Sequence, residues 1–486
     1  MSDITIPTLC APKSLQDLEG ILQHDIKIKV AGVDVDGVLR GKYMSKAKFL
    51  GAVSSGGFGF CSVIFGWDIH DAVYFRELTI SNRQNGYRDV LAQIDLSTYR
   101  RIPWDNNVPF FLVSFLDPIS LKPICADPRG VLRLAGELAA EMRLTCVAGV
   151  EYEYFNFKET PESVAQKKYT QLQALTPGMH GYSVLRTQLN QEYFNDLFDE
   201  SSNFEIDIEA HHTETGPGVL ETALAYTSAL RMADNAILFK FLAKSIGMKY
   251  GVLPSFMAKP WGNLPGCSGH THVSLKDSSG DNIFAYSDPA HPGGRPGAAF
   301  EDTKFLSQTG EQFLAGLLDG LPDVMPMLVP TVNGYKRLAG GEAFWAPNAV
   351  TYGYDCRGAS VRIISPPSVP SAATRFEVRV PGADMNPYFA LSAIFKLGLR
   401  GITKQMKLTT PPVSAFQTDP ALKKEITLLP HSLEEATKRM MRPGSVAREI
   451  FGDEFVDHYG GTREHEVHMW NQAVTNWEVE RYLELA

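Results

Sequence analysis

Cysteine is scarce in this chain. Its 486 residues hold six (Cys10, Cys61, Cys125, Cys146, Cys267 and Cys356), and no two form a CxxC pair. That spacing argues against a disulfide framework and a cysteine-zinc site, and unpaired thiols fit a reducing compartment. Long apolar runs are also missing. No stretch reaches the roughly 20 residues that a membrane-spanning helix needs. Met1–Lys13 carries Asp3, Pro7 and Pro12 without an apolar run, so no secretory signal is expected there and the expected location is cytoplasmic. Positive charge is not in surplus: the formal net charge is -9, which argues against a nucleic-acid partner and leaves room for metal-bound anionic substrates. There is no internal repeat and no low-complexity tract. What remains is a globular composition, 44% hydrophobic and 21% charged, on a chain long enough for two or more domains.

Three stretches stand out within it. Val150-Glu151-Tyr152-Glu153-Tyr154-Phe155 alternates with period two, so as a strand it puts Glu151 and Glu153 on one face and Val150, Tyr152 and Tyr154 on the other. Two neighbouring carboxylates repel unless something cationic lies between them, and hard divalent cations such as Mg²⁺ or Mn²⁺ choose oxygen ligands. A solvent-facing strand would alternate in the same way. However, His270-Thr271-His272-Val273-Ser274-Leu275 puts two imidazoles and a hydroxyl on one face, and Arg375-Phe376-Glu377-Val378-Arg379-Val380 gives an Arg-Glu-Arg face. Three such strands predict one sheet with a packed back and a charged, concave, metal-binding front.

The remaining elements follow in order. Residues 14–24 have helical spacing behind Ser14. Ile26–Val35, Asp36-Gly37 and the following residues read as a hairpin. Phe60–Phe65, Ala72–Leu78 and Phe110–Leu116 are further strand candidates, so residues 1–120 read as a small strand-rich domain and 121–486 as a larger one. Gly130 to Met142 reads as helix, residues 158–203 as surface loops, and Phe204–Ala210 as a strand. A long helix is expected from about Val219 to Gly247, opened by Gly216-Pro217-Gly218. Glu221 would then lie in its first turn, where backbone N–H groups favour negative charge. His211 and His212 carry less weight as ligands than Glu214 and Glu221, since at most one of two adjacent strand residues faces a site. Residues 276–297 read as an exposed excursion, Phe300–Leu318 as helix and residues 339–347 as a flap. Arg357 and Arg362 flank a short strand, and the chain is mainly helical after Asn386-Pro387-Tyr388.

Together these motifs resemble the glutamine synthetase superfamily over nearly the whole chain. The resemblance is carried by Glu151-x-Glu153, Glu214 to Gly-Pro-Gly to Glu221, Ser268-Gly-His270-Thr-His272-Val-Ser274, Asn333-Gly-Tyr-Lys-Arg337-Leu, and Arg375-Phe-Glu377-Val-Arg379 with Asn386-Pro-Tyr. It implies an α+β fold, with a β-grasp-like N-terminal domain and a catalytic domain whose curved antiparallel sheet is backed by helices. It implies metal ligation by Glu153, Glu214 and Glu221 at one ion and by Glu151, His270 and Glu377 at another. Glu209, His272 and Ser274 fall where the family contacts ATP. Arg357, Arg362 and Arg375 fall where it handles the phosphoryl group and nucleotide, and Arg337 and Arg379 where it clamps the amino acid and intermediate. Sites shared between subunits, in a ring-shaped homo-oligomer (a dodecamer), are implied as well. The implied reaction joins ammonia or an organic amine to glutamate through γ-glutamyl phosphate, using ATP and Mg²⁺ or Mn²⁺.

The chain departs from that pattern at the acceptor and glutamate motifs. Pro265-Gly266 stands where Asn-Gly is usual, with Gly266 at the glutamate contact. Phe344-Trp345-Ala346-Pro347 aligns with a Tyr-Glu-Ala-Pro flap, so Trp345 replaces a glutamate that helps bind ammonium, while Glu342 lies nearby. The aspartate loop of the ammonium site is missing, and Asp68 or Asp71 is the candidate replacement. No adenylylation tyrosine motif precedes Leu429-Pro430. These changes favour an organic amine as acceptor. The alternative is a catalytically inactive assembly protein of the same fold.

Overall fold

Asp34 shapes the first hairpin. Its Oδ1 accepts from the amides of Asp36 (3.0 Å) and Val38 (2.9 Å), and Gly37 takes φ +80°, which glycine adopts without steric cost. The turn joins β1 (Lys27–Val33) to β2 (Leu39–Ser45). β3 (Phe58–Cys61), β4 (Asp89–Ile94), β5 (Arg100–Ile102) and β6 (Val108–Leu116) complete a six-stranded sheet of order β2-β1-β6-β4-β3, with β5 on β6. The β1–β6 pair is parallel and the others antiparallel. The computed structural model describes residues 12, 14–338, 346–419, 421–422 and 426–486.

The second sheet has eight strands: β7 (Thr145–Phe157), β8 (Ile208–Thr213), β9 (Val219–Ser228), β10 (Leu253–Ser255), β11 (Gly269–Lys276), β12 (Tyr352–Tyr354), β13 (Val361–Ile364) and β14 (Arg375–Val378). Its order is β12-β13-β14-β11-β7-β9-β8, with β10 against the end of β7. The pairing is antiparallel except for β12–β13. The β7 alternation works as expected on its apolar side. Val150, Tyr152 and Tyr154 are buried, and Tyr154 meets Phe239 of the helix Ala229–Lys249 edge-on at 5.8 Å. Helices Pro128–Glu141, Gln308–Gly320 and Pro387–Thr403 add to this backing. The last two approach closely because Gly316 faces Gly401; a Cβ on Gly316 would lie 2.6 Å from the Gly401 Cα.

A buried ion pair connects the layers. Arg129 grips both oxygens of Asp234 at 2.9 Å and reaches Asp95, next to the N-terminal sheet, at 3.0 Å. Tyr388 donates to the same Asp234 at 2.7 Å. No helix among the described residues is long and apolar enough to cross a membrane.

Several expectations fail. Val219 opens strand β9, and the helix begins only at Ala229, so Glu221 gains nothing from a helix terminus. The period-two signal was present: Leu220, Thr222 and Leu224 turn inward between less buried Glu221, Ala223 and Ala225. Residues 158–203 include helices Pro161–Gln166 and Gln191–Asn203, the latter held by buried Tyr193 and Leu197. Ala72–Leu78 is no strand; it carries a single bridge, Trp67 to Val73. Phe60–Phe65 divides into the end of β3 and a 3-10 turn, Ser62–Phe65. The expected helix from Phe300 starts in earnest at Gln308, behind the Ser307 cap.

Candidate functional site

Strand register brings the charged residues together. Across the open face of the second sheet, Arg362 and His272 both pair with Glu377. His270 pairs with Glu151. Glu153 pairs with Glu221, which also pairs with His212 on β8. Like charges directly opposite on neighbouring strands destabilise a sheet unless a cation offsets them. The Glu153–Glu221 pair is therefore the clearest mark of a cation-binding face.

Among the described residues, two groups of donors could hold metal ions. In one, His212, Glu214 and Glu221 offer atoms all within 4.8 Å of each other. His212 lies 3.5 Å from Glu221 and 3.8 Å from Glu214, and the buried Glu214 Oε2 has no hydrogen-bond partner. Glu153 adjoins this group across the β7–β9 pair, with its Oε2 accepting from the Ser268 amide at 2.6 Å. Burial pushes the Glu153 carboxyl up, against the pull of His270. Glu221, the nearest anion, raises the His212 imidazole to about 9. A carboxylate-rich set with an unsatisfied buried oxygen fits a hard divalent cation.

In the second group, Glu151, His272 and Glu377 lie within 4.8 Å of each other. His270 Nδ1 stands between the two carboxylates, 3.5 Å from Glu377 and 3.7 Å from Glu151. The two imidazoles differ in what they can do. Arg375 Nε donates to His272 Nδ1 at 3.1 Å, so a neutral His272 carries its proton on Nε2, which faces Glu151 at 2.9 Å. That nitrogen has no free lone pair for a metal, and it is out of line for a hydrogen bond. His270 is the better donor despite its slightly longer contacts. Burial raises Glu151, but His270 and His272 outweigh it and hold the carboxyl far below the ordinary range. Glu377 falls to about 2, because His270 and Arg379 outweigh its burial.

The arginines are distributed around these groups. Arg362 reaches Glu377 at 2.9 Å and Asp355, and lies within β13, while Arg357 is exposed in the turn before it. Arg379 is buried against Glu377. Arg337 is buried, hydrogen-bonded to the Val380 carbonyl, and its Nε has no partner. Gly266 lies flat against it; a Cβ there would be 2.9 Å from the Arg337 Cγ. Beside Glu151 opens a cavity of about 360 Å³, lined by Glu209, Tyr226, His272, Ser274 and Arg375.

His212, given less weight than Glu214 and Glu221 from the sequence, lies beside both of them, and Tyr182 stacks on it at 4.4 Å. Seen as a helix start, Val219 offered no strand to pair with His212, so the cross-strand contact was invisible. His211 turns away instead, stacking on Phe194 at 4.1 Å. Asp68 and Asp71 are both engaged. Asp68 accepts from the amides of His70 and Ala72 and faces His465 at 3.2 Å, while Asp71 pairs with Arg40 at 2.7 Å. Glu342, Phe344 and Trp345 of the flap lie outside the described residues.

Residues 125–482 match the family described as glutamine synthetase, catalytic domain. A type-1 glutamine synthetase 2 of Dictyostelium discoideum is 41% identical, over 97% of this chain and 87% of its own. A glutamate–isopropylamine ligase of a Pseudomonas species is 34% identical, over 96% of each chain. Among solved structures, a GmaS/ADP complex superposes with a TM-score of 0.77 at 24% identity, covering 96% of this chain and 99% of its own, which places the fold. With its charged, curved α+β sheet and these relatives, the chain belongs to the glutamine synthetase family.

Proposed function

We propose that this protein is an ATP-dependent ligase that joins an amine to the γ-carboxylate of glutamate through γ-glutamyl phosphate. The observation that carries the reading is the Glu153–Glu221 pair, two carboxylates in direct register, on the same sheet face as Glu377 with its Arg362 and Arg379 two strands away. Phosphoryl transfer to a carboxylate brings two anions together, and such a surface answers both needs. Glu153, Glu214 and Glu221 would hold one Mg²⁺ or Mn²⁺, and Glu151, His270 and Glu377 a second. The ions supply Lewis-acid neutralisation of phosphate charge.

The protein's own groups do the remaining work. Glu209, His272, Ser274 and Arg375 shape the cavity for ATP. Arg337, against Gly266, clamps the amino acid, since its planar fork meets a carboxylate bidentately and stays charged. Arg379, Arg362 and Arg357 balance the transferring phosphoryl group. Convergence of all the donors on one face supports turnover over the scaffold alternative.

An organic amine is the better acceptor in this reading. A site for ammonium needs anionic groups in contact with it, and Asp68 and Asp71 already have partners within the chain. A relative named for isopropylamine supports the same direction. The reading includes a division near residue 120, a cytoplasmic location and self-association into a ring. Exposed apolar groups at the C-terminal end, Trp477 (61%), Leu483 (82%) and Leu485 (88%), support burial against another copy. The test is phosphate release with saturating glutamate, ATP and Mg²⁺, using ammonia, ethylamine, isopropylamine, ethanolamine and putrescine in turn. The highest kcat/KM should belong to an organic amine. A higher value for ammonia, corrected for its unprotonated fraction, would overturn the acceptor assignment, and no turnover with any amine would overturn the ligase.

A further inference from the structure

Asp384 lies outside every motif above, yet its carboxylate joins the two segments that hold Arg337. It is seated between two glycines. A Cβ on Gly334 would stand 3.2 Å from Asp384 Oδ2, and a Cβ on Gly382 would collide with Oδ1. Gly334 begins the short helix Gly334–Leu338 that carries Arg337. Gly382 belongs to the turn that follows β14, and its amide bonds to the Leu328 carbonyl at 3.1 Å.

The polar connections run through Thr331. Its hydroxyl donates to Asp384 Oδ2 at 2.6 Å and accepts from the Gly334 amide at 3.0 Å. The first N–H of the helix, which has no intrahelical acceptor, is thus shared between that hydroxyl and the Thr331 carbonyl at 3.1 Å, and the relay ties this cap to Asp384. The other end of the same arrangement holds the guanidinium, because Arg337 donates to Val380 on the turn that leads to Asp384. Lys240 fixes the far side of the turn, donating to the Met385 carbonyl at 2.8 Å. Two buried polar atoms of opposite character stay unpartnered here, Asp384 Oδ1 and Arg337 Nε. Burial pushes the Asp384 carboxyl up, and Thr331, Lys240 and Arg337 offset only part of that rise.

We propose that Asp384 is a positioning residue for Arg337. Through Thr331 it sets the start of the Arg337 helix against the turn after β14, and so fixes where the guanidinium meets the acidic substrate. The inference rests on the reading of Arg337 as the clamp for that substrate. A charged hydroxyl relay suits this task because it constrains direction, whereas an apolar contact constrains only distance.

The test uses Thr331→Val, which keeps the side-chain shape and removes the relay, with Thr331→Ser as the conservative rescue and Asp384→Asn to remove the charge. In the full-length enzyme, Thr331→Val and Asp384→Asn should each raise KM for glutamate about tenfold while KM for ATP stays within about twofold. Thr331→Ser should stay within about threefold of the parent on both. Amide hydrogen exchange over residues 331–338 should be at least tenfold faster in Thr331→Val than in the parent. An unchanged glutamate KM, equal rises in both KM values, or no rescue by serine would overturn the proposal. If the parent turns over no amine, the ligase reading fails by itself. The exchange rates then decide alone, and unchanged protection in Thr331→Val overturns the positioning role.

Discussion

Glu153→Gln should change the sign of its effect on stability with the divalent ion. In chelator, the native protein holds the Glu153 and Glu221 carboxylates in direct register, and burial already disfavours the Glu153 charge. A neutral amide of the same shape removes a cross-strand repulsion of about 0.2–1 kcal/mol. The variant should therefore melt at or slightly above the parent temperature. With Mg²⁺ at 100 times its Kd, the parent gains about 2.7 kcal/mol by linkage. Loss of one anionic ligand weakens binding by about 10–100-fold, taking the outer-shell effect as a lower guide. At the same Mg²⁺ concentration the variant then gains only about 0.4–1.4 kcal/mol. The melting curves should cross: variant at or above parent in chelator, below it in Mg²⁺. Differential scanning fluorimetry over an Mg²⁺ and Mn²⁺ titration reads this without any activity. Equal ion-induced shifts in the two proteins would show that Glu153 holds no cation. A variant already less stable in chelator would show that the repulsion is offset by something other than a metal.

Arg337→Lys should lower kcat/KM for glutamate at least tenfold with circular dichroism unchanged, because lysine keeps the charge and loses the bidentate fork; an unchanged value would remove Arg337 from the substrate site. Asp127 caps the helix Pro128–Glu141 through the Gly130 amide at 2.9 Å, while its Oδ1 is buried without a partner. Burial raises this carboxyl to about 7, against the pull of Arg129. The folded protein thus keeps a proton that the unfolded chain releases near pH 4, so this contribution to stability is present below about pH 4 and is lost as pH rises through 7. Asp127→Asn keeps an acceptor for the cap without the charge; its stability relative to the parent should rise by roughly 2–4 kcal/mol between pH 4 and 8. A flat difference in urea unfolding across that range would place the Asp127 charge in solvent.

Much of this protein is written in its strand periodicity. Alternation at 150–155, 270–275 and 375–380 is enough to give each strand an apolar back and a charged front, because side chains on a strand alternate whatever their partners are. Residue types then restrict the chemistry: carboxylates and imidazoles for hard cations, arginines for anions. Register is another matter. Nothing local to β9 says that Glu221 must face Glu153, since sheet pairing joins residues far apart in sequence, and a one-residue slip would turn every ligand to the other face. The same holds for His212, which acquires its place only once β8 pairs with β9. The Gly-Pro-Gly turn suggested a helix start by local rules, and the sheet overrode them because β7 offered β9 an edge to pair with. Asp384 shows the limit most plainly. In the sequence it is one acid in a turn, and only the packing of two glycines from separate segments around its carboxylate joins it to Arg337. The sequence by itself determined which residues could do the chemistry and which face of each strand they share; the tertiary structure decided which of them meet, because that depends on long-range pairing and close packing that no local pattern encodes.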